Sequence, residues 1–296
     1  MNKQDPAIGF IGIGVLGKGL PLCLVDQGYR VTAAHSRSPS SAQWLADRVP
    51  GCRVFSSAQE LCDATDLVFI TTPDSVIGQV AASVTWRPGQ GVVHCCGAES
   101  RELLHPALGQ GAVTGAFHPY QTFAGLEGPE DIASRLSGVA FAVAGQEWLE
   151  GYLWEMATEL GGHPVSISDG DRPLYHASAV LACGYLSALL KATIEVWQAM
   201  GFSEQEAVDA LYPISRATLE NLAKTGADAS VTGPVVRGDT HTLRSHLDAL
   251  SETLPEVVPL YRTLTNASLG MAARRGVGPE GINALQELVD QYADAK

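Results

Sequence analysis

Short apolar runs alternate with amphipathic stretches through the first half of the chain. Ala7–Ile13 is an apolar run with β-branched residues and predicts a strand. Leu16–Gln27 predicts a helix that stops at Gly28. Arg30–Ala34 predicts a second strand and Ser41–Arg48 a second helix. Asp66–Thr71, Gly91–Cys95 and Ala112–Phe117 read as buried strands. Gly138–Val143 and Pro164–Ile167 read as two more, with a helix over Glu147–Leu160 between them. Strands separated by helices imply parallel βαβ units with helices on both faces of a sheet.

Beyond Ser168 the strand signal disappears. Leu174–Met200 is long, apolar and rich in Ala and Leu. Ser203 with Glu206 three residues later is a capping-box pattern opening a helix over Glu204–Lys224. Helices follow over Asp239–Leu250, Pro255–Arg274 and Pro279–Ala293, with Asp239 as an N-cap and Pro279 in a first turn. The expected organisation is an α/β domain on a mostly parallel doubly wound sheet, residues 1–168, followed by an all-α domain, residues 169–296. Leu174–Met200 is too hydrophobic to leave exposed, which argues for a homodimer through the helical domain. The longest strongly apolar uncharged stretch, Ala177–Leu190, falls short of the roughly 20 residues that span a bilayer, so no membrane role is expected.

Composition narrows the partners. Lys and Arg total 19 against 32 Asp and Glu, a net charge of −13 over 296 residues. Bulk electrostatics therefore exclude nucleic acid as a partner. Hydrophobic residues make up 46 %, enough for a large core. Six cysteines without a C-x-x-C pair fit reduced thiols in a cytoplasmic protein, not a disulfide framework or a metal site.

An acidic chain can still hold an anion by backbone geometry. Gly12-Ile13-Gly14-Val15-Leu16-Gly17 is G-x-G-x-x-G, placed directly after a predicted strand and opening a predicted helix. Gly12 permits the tight turn, Gly14 lets a pyrophosphate approach, and Gly17 lets helix and strand pack closely. Val15 and Leu16 supply first-turn N–H groups at the positive end of the helix. This is the dinucleotide-binding fingerprint of a Rossmann fold. After the second strand comes His35-Ser36-Arg37-Ser38, with no carboxylate until Asp47. A carboxylate there would accept from a ribose 2′-OH, whereas Arg37 with Ser36 and Ser38 suits a 2′-phosphate. NADP is therefore favoured over NAD. Thr72 and Pro73 close the fourth strand and are expected under the cofactor.

Three histidines are candidates for the chemistry. His94 ends one strand and His118 the next, both at the edge where an open parallel sheet binds ligands. His176 lies early in the long helix. An imidazole is a suitable proton donor near neutral pH. His176 ranks first, then His118, then His94. Cys96 and Arg237 are weaker candidates for contacting substrate; a structural role in its turn competes for Arg237. Lys191 lies four turns beyond His176, about 22 Å along the helix, and cannot share its site.

These pieces together resemble the Rossmann-like proteins that carry a C-terminal domain of unknown function 2520. The resemblance rests on Gly12–Gly17, His94–Gly97, Phe117-His118-Pro119 with Thr122-Phe123, Leu174-Tyr175-His176-Ala177, and Thr232–Asp239. It implies a fold similar to pyrroline-5-carboxylate reductase, the β-hydroxyacid dehydrogenases and deazaflavin-dependent NADP reductases. It also implies a helical domain that commonly dimerises, and a substrate between the nicotinamide and the first long helix, near His176. Two departures stand out. Cys96 replaces a usual Ser, and Cys183-Gly184 replaces a usual Ser-Asn. The Lys-centred helix motif of the β-hydroxyacid dehydrogenases is absent.

The expected activity is an NADPH-dependent reductase moving hydride to a small-molecule C=O or C=N substrate bound between the two domains. The alternatives are a non-catalytic NADP-binding regulatory dimer and an NADP-dependent dehydrogenase of a hydroxy compound.

Overall fold

The computed structural model describes residues 6–126, 128 and 131–293. Eight strands among them form one sheet. They are β1 (Ile8–Ile11), β2 (Val31–His35), β3 (Arg53–Val54), β4 (Leu67–Ile70), β5 (Gly91–His94), β6 (Val113–Pro119), β7 (Ala140–Gly145) and β8 (His163–Ser166). Their order is β3-β2-β1-β4-β5-β6-β7-β8. β3 to β6 are parallel throughout. The first six thus have the doubly wound 3-2-1-4-5-6 order, with the switch point between β1 and β4. β7 departs from the expected parallel pattern: it runs antiparallel to β6, with Phe117 opposite Val143, and β8 follows parallel to β7.

The helices of this half are α1 (Val15–Asp26), α2 (Pro39–Ala46), α3 (Ala58–Asp63), α4 (Asp74–Ala82), α5 (His105–Leu108), α6 (Ile132–Leu136), α7 (Glu147–Glu159) and α8 (Arg172–Val180). Apolar residues fill both faces of the sheet. One face carries a file of phenylalanines: Phe10 stacks on Phe69 at 5.1 Å, Phe69 meets Phe117 edge-on at 6.1 Å, and Phe117 packs on Phe141 at 4.8 Å. The other face carries Ile11, Ala33, Val68, Ile70 and Val92. Strands buried on both faces explain the near-continuous apolar runs in the sequence.

The chain divides into two compact units after Gly184. The change of composition begins earlier, near residue 168. The difference is α8, which is helical in sequence character but bonded to the sheet unit through His118 and Cys96, with the turn before it held by Arg101 through Asp169. A π turn, Leu181–Tyr185, follows it.

The second unit is all-α: α9 (Leu186–Ala199), α10 (Glu204–Thr225), α11 (Ala227–Ser230), α12 (Thr240–Thr253), α13 (Val258–Arg274) and α14 (Pro279–Asp290). Ser203 and Glu206 complete the capping box, Asp239 accepts from the Thr242 N–H, and Pro279 opens α14. Its core gathers Leu243, Leu247, Val258, Leu285 and Leu288. α10 buries only Ala207, and leaves Tyr212 and Ile214 exposed at 67 % and 64 %. By length and composition alone, the helical run Asp169–Ala199 would suffice to cross a membrane; it is longer than the Ala177–Leu190 stretch isolated by the apolar pattern.

Phe117 is fully buried at the centre of the phenylalanine file. Phe117→Ala is expected to destabilise the sheet unit by about 3–5 kcal/mol, read as a lowered midpoint in chemical unfolding.

Candidate functional site

The first candidate site lies over the β1–α1 turn. Gly12 has φ of 95°, which a side chain would strain. A Cβ on Gly17 would come within 2.1 Å of the Gly12 carbonyl oxygen. The Thr71 hydroxyl donates to that same carbonyl at 2.6 Å and ties the turn to the end of β4. A Cβ on Gly14 would meet nothing within 4 Å, so the space above it is open. No side chain caps the start of α1, and Val15 and Leu16 form its first turn.

A cleft of about 750 Å³ opens here. Gly12, Gly14, Ser36, Arg37, Ser38, Thr72 and Pro73 all line it, so the expected cofactor residues converge on one surface. Val15, Leu16 and Gly17 follow in the first turn of α1 and are not among the residues that line the cleft. Arg37 is exposed at the β2 end of the cleft, and the Ser38 and Ser40 hydroxyls meet at 3.0 Å beside it. His35 shares this wall; its Nδ1 lies 3.0 Å from the Phe55 carbonyl. The Thr72 Oγ1 is buried without a hydrogen-bond partner among the described residues. Free helix N–H groups, an open Gly14, an Arg among hydroxyls and an orphaned threonine oxygen together fit a dinucleotide carrying a 2′-phosphate.

The second cluster lies along the carboxyl ends of β5 and β6 and the first turns of α8. Ile70, His94 and Ala116 are paired across β4, β5 and β6, which sets His94 at the edge where β5 ends. The His94 ring is fully buried. The Cys96 N–H donates to its Nδ1 at 3.2 Å, so the neutral ring carries its hydrogen on Nε2. Burial and the nearby Arg172 charge lower its pKa to about 4. His118 ends β6 half-buried, with its Nδ1 2.8 Å from the Tyr175 hydroxyl. Burial, then Arg172, lower its pKa to about 4 as well. Gly97 makes room for this ring: a Cβ there would sit 2.7 Å from His118 Nε2.

His176 is the next residue on α8, half-buried and within electrostatic reach of His118. Tyr175 and Arg172 are the residues that sequence reasoning missed. Tyr175 stood inside the motif that singled out His176. Burial raises its phenol to about 12, although the Arg172 charge pulls the other way. Arg172 offered a signal in its position, a cation at the positive end of a helix. Cys96 contributes through its backbone; burial keeps its thiol protonated, with a pKa near 11.

Arg237 lies in the second unit, exposed on the turn before Asp239. It helps to hold the Asp239 carboxyl below its usual range, after the Thr242 hydroxyl and N–H. Lys191 pairs with Glu195 at 2.6 Å on an exposed face. Among the described residues no group of His, Cys, Asp or Glu could hold a metal ion.

A Rossmann-like domain model matches residues 2–119, and the model of the domain of unknown function 2520 matches residues 139–268. No curated protein matches the chain. Among solved structures, a candidate NADP oxidoreductase from Bacteroides fragilis is 21 % identical with a TM-score of 0.71, over 91 % of this chain and 100 % of that one. A 1-pyrroline-5-carboxylate reductase from Streptococcus pyogenes is 17 % identical with a TM-score of 0.60, over 98 % and 99 %. A reductive aminase from Aspergillus terreus, solved with NADPH, is 17 % identical with a TM-score of 0.59, over 97 % and 93 %. At these identities the likeness establishes a shared fold.

Two histidines kept neutral, His94 buried and His118 half-buried, impose a pH dependence. Unfolded, each takes up a proton near pH 6.5; folded, each does so only near pH 4. The unfolded chain therefore binds more protons across that window, and stability falls as pH drops from about 6.5 to 4. Urea unfolding at pH 7 and pH 5 is expected to register this loss. His94→Asn should make it shallower by removing one of the two groups.

Proposed function

We propose that this chain, a Rossmann-like protein with a C-terminal domain of unknown function 2520, is an NADPH-dependent reductase of a small C=O or C=N compound. The observation that carries the reading is the single cleft gathering Gly12, Gly14, Ser36, Arg37, Ser38 and Thr72. The α1 first turn would hold the pyrophosphate, Arg37 and its neighbouring hydroxyls the 2′-phosphate, and Thr72 the ribose side. Bound NADPH would supply the hydride. The fold shared with reductases that use this cofactor adds support.

The chain's own part in the chemistry is a proton. Of the three histidine candidates, His94 is enclosed and neutral, which disfavours it. His118 is bonded to Tyr175, and we assign proton handling to that pair, with His176 beside it. Tyr175 gives the proton to the oxygen or nitrogen of the reduced substrate, and His118 Nδ1–H stabilises the phenolate left behind.

The exposed apolar residues of α10 support a homodimer through the helical unit. Tyr212→Glu with Ile214→Glu is expected to yield a monomer in sedimentation velocity.

Calorimetric titration with NADPH and NADH tests the cofactor. NADPH is expected to bind more tightly. Arg37→Ala should weaken NADPH by roughly 10–100-fold, the worth of one charge-assisted phosphate contact, and leave NADH unchanged. Binding of neither nucleotide would overturn the reductase reading. NADPH oxidation against imines, ketoacids and aldehydes tests the chemistry. Tyr175→Phe should lower kcat by about 10²–10⁴-fold, the usual range for a general acid.

A further inference from the structure

Arg172 is a charge in an unfavourable place. It is the first residue of α8, where the helix dipole is already positive. Its side chain is fully buried. Nη1 reaches the Cys96 carbonyl at 3.5 Å, while Nε and Nη2 have no hydrogen-bond partner among the described residues. Asp169, the carboxylate that acts on it, is bonded to Arg101 at 3.0 Å. A guanidinium does not shed its proton in a protein, so the charge stays. Burying a charge this poorly paired opposes folding. Three residues further along the same face of α8 stands Tyr175, bonded to His118.

We propose that Arg172 is a positioning residue that keeps a second positive charge off His118, so that the His118–Tyr175 bond remains a neutral pair from which Tyr175 gives up the proton. This rests on the reading of Tyr175 as the proton donor. Other groups face or influence the pair from each neighbouring element. His94 comes from β5, Tyr120 from the chain after β6 and His176 from α8, while Cys96, in the turn after β5, acts on Arg172. His94 is neutral and the Cys96 thiol is protonated, while Arg101 and Asp169 offset one another. Arg172 is left as the fixed charge of the cluster. When the Tyr175 O–H bond breaks, its proton passes to the substrate oxygen or nitrogen. The phenolate is then flanked by the Arg172 charge and the His118 Nδ1–H until solvent returns a proton.

The test follows the His118 ring by NMR through a pH titration of the full-length protein, with His118→Gln to assign its signal. Arg172→Met and Arg172→Gln remove the charge, and Arg172→Lys retains it. The neutral variants are expected to raise the His118 midpoint by at least about one pH unit, the usual effect of a close like charge. They should unfold at the same temperature as the parent or higher. Arg172→Lys should keep the low midpoint. An unmoved midpoint in a folded neutral variant would refute the proposal. So would failure of both neutral variants to fold, which would make Arg172 a structural residue. Because the titration needs no nucleotide, a chain that binds no NADPH yet shifts His118 would sink the reductase reading and sustain the charge control.

Discussion

The approach of Gly17 to the carbonyl oxygen of Gly12 governs the nucleotide half of the molecule. A side chain on Gly17 would lie 2.1 Å from that oxygen, so α1 could not begin where it does. With the helix seated there, its uncapped first turn faces the open space over Gly14. The Thr71 hydroxyl, bonded to the Gly12 carbonyl, locks the turn against the end of β4. One backbone contact thereby fixes the relation between β1, β4 and the helix that would receive the pyrophosphate. The net charge of −13 then matters little, because the proposed phosphate partners would be N–H groups and the exposed Arg37.

The second cluster obeys a different constraint. Here polar groups are withdrawn from water at the ends of strands whose bodies are buried and mostly apolar. Each withdrawn group leans on the backbone of Cys95–Gly97: His94 accepts from the Cys96 N–H, Arg172 donates to the Cys96 carbonyl, and His118 lies against Gly97. Position 96 can therefore exchange its side chain and keep the roles that its backbone performs. This gives a physical account of how Cys can stand there in place of the Ser that the resemblance leads one to expect.

The nucleotide site was legible in the sequence because its chemistry depends on neighbouring residues: six positions hold the turn, and four more the end of β2. The second cluster was legible only in part. His94 and His118 announce themselves as polar residues ending apolar runs, but nothing local says that His94 turns inward. Tyr175 and Arg172 depend on where α8 packs, which no periodicity reveals. The direction of β7 was hidden for a similar reason, since a buried strand reads the same whichever way it runs. β3 has two residues and α3 six, too few for a repeat to show. The unit boundary after Gly184, against the composition change near 168, has one cause: α8 has the sequence of a helical domain and the bonds of the sheet domain.

His35 carries a consequence of its own. The Phe55 carbonyl can only accept, so Nδ1 of His35 must hold the hydrogen between them. In the neutral ring, Nε2 then has a lone pair alone to present. Gaining one proton reverses the polarity of that nitrogen from acceptor to donor, without rotating the ring or moving the strand that bears it. The wall of the cleft at the end of β2 thus has two hydrogen-bonding faces built into one fixed side chain.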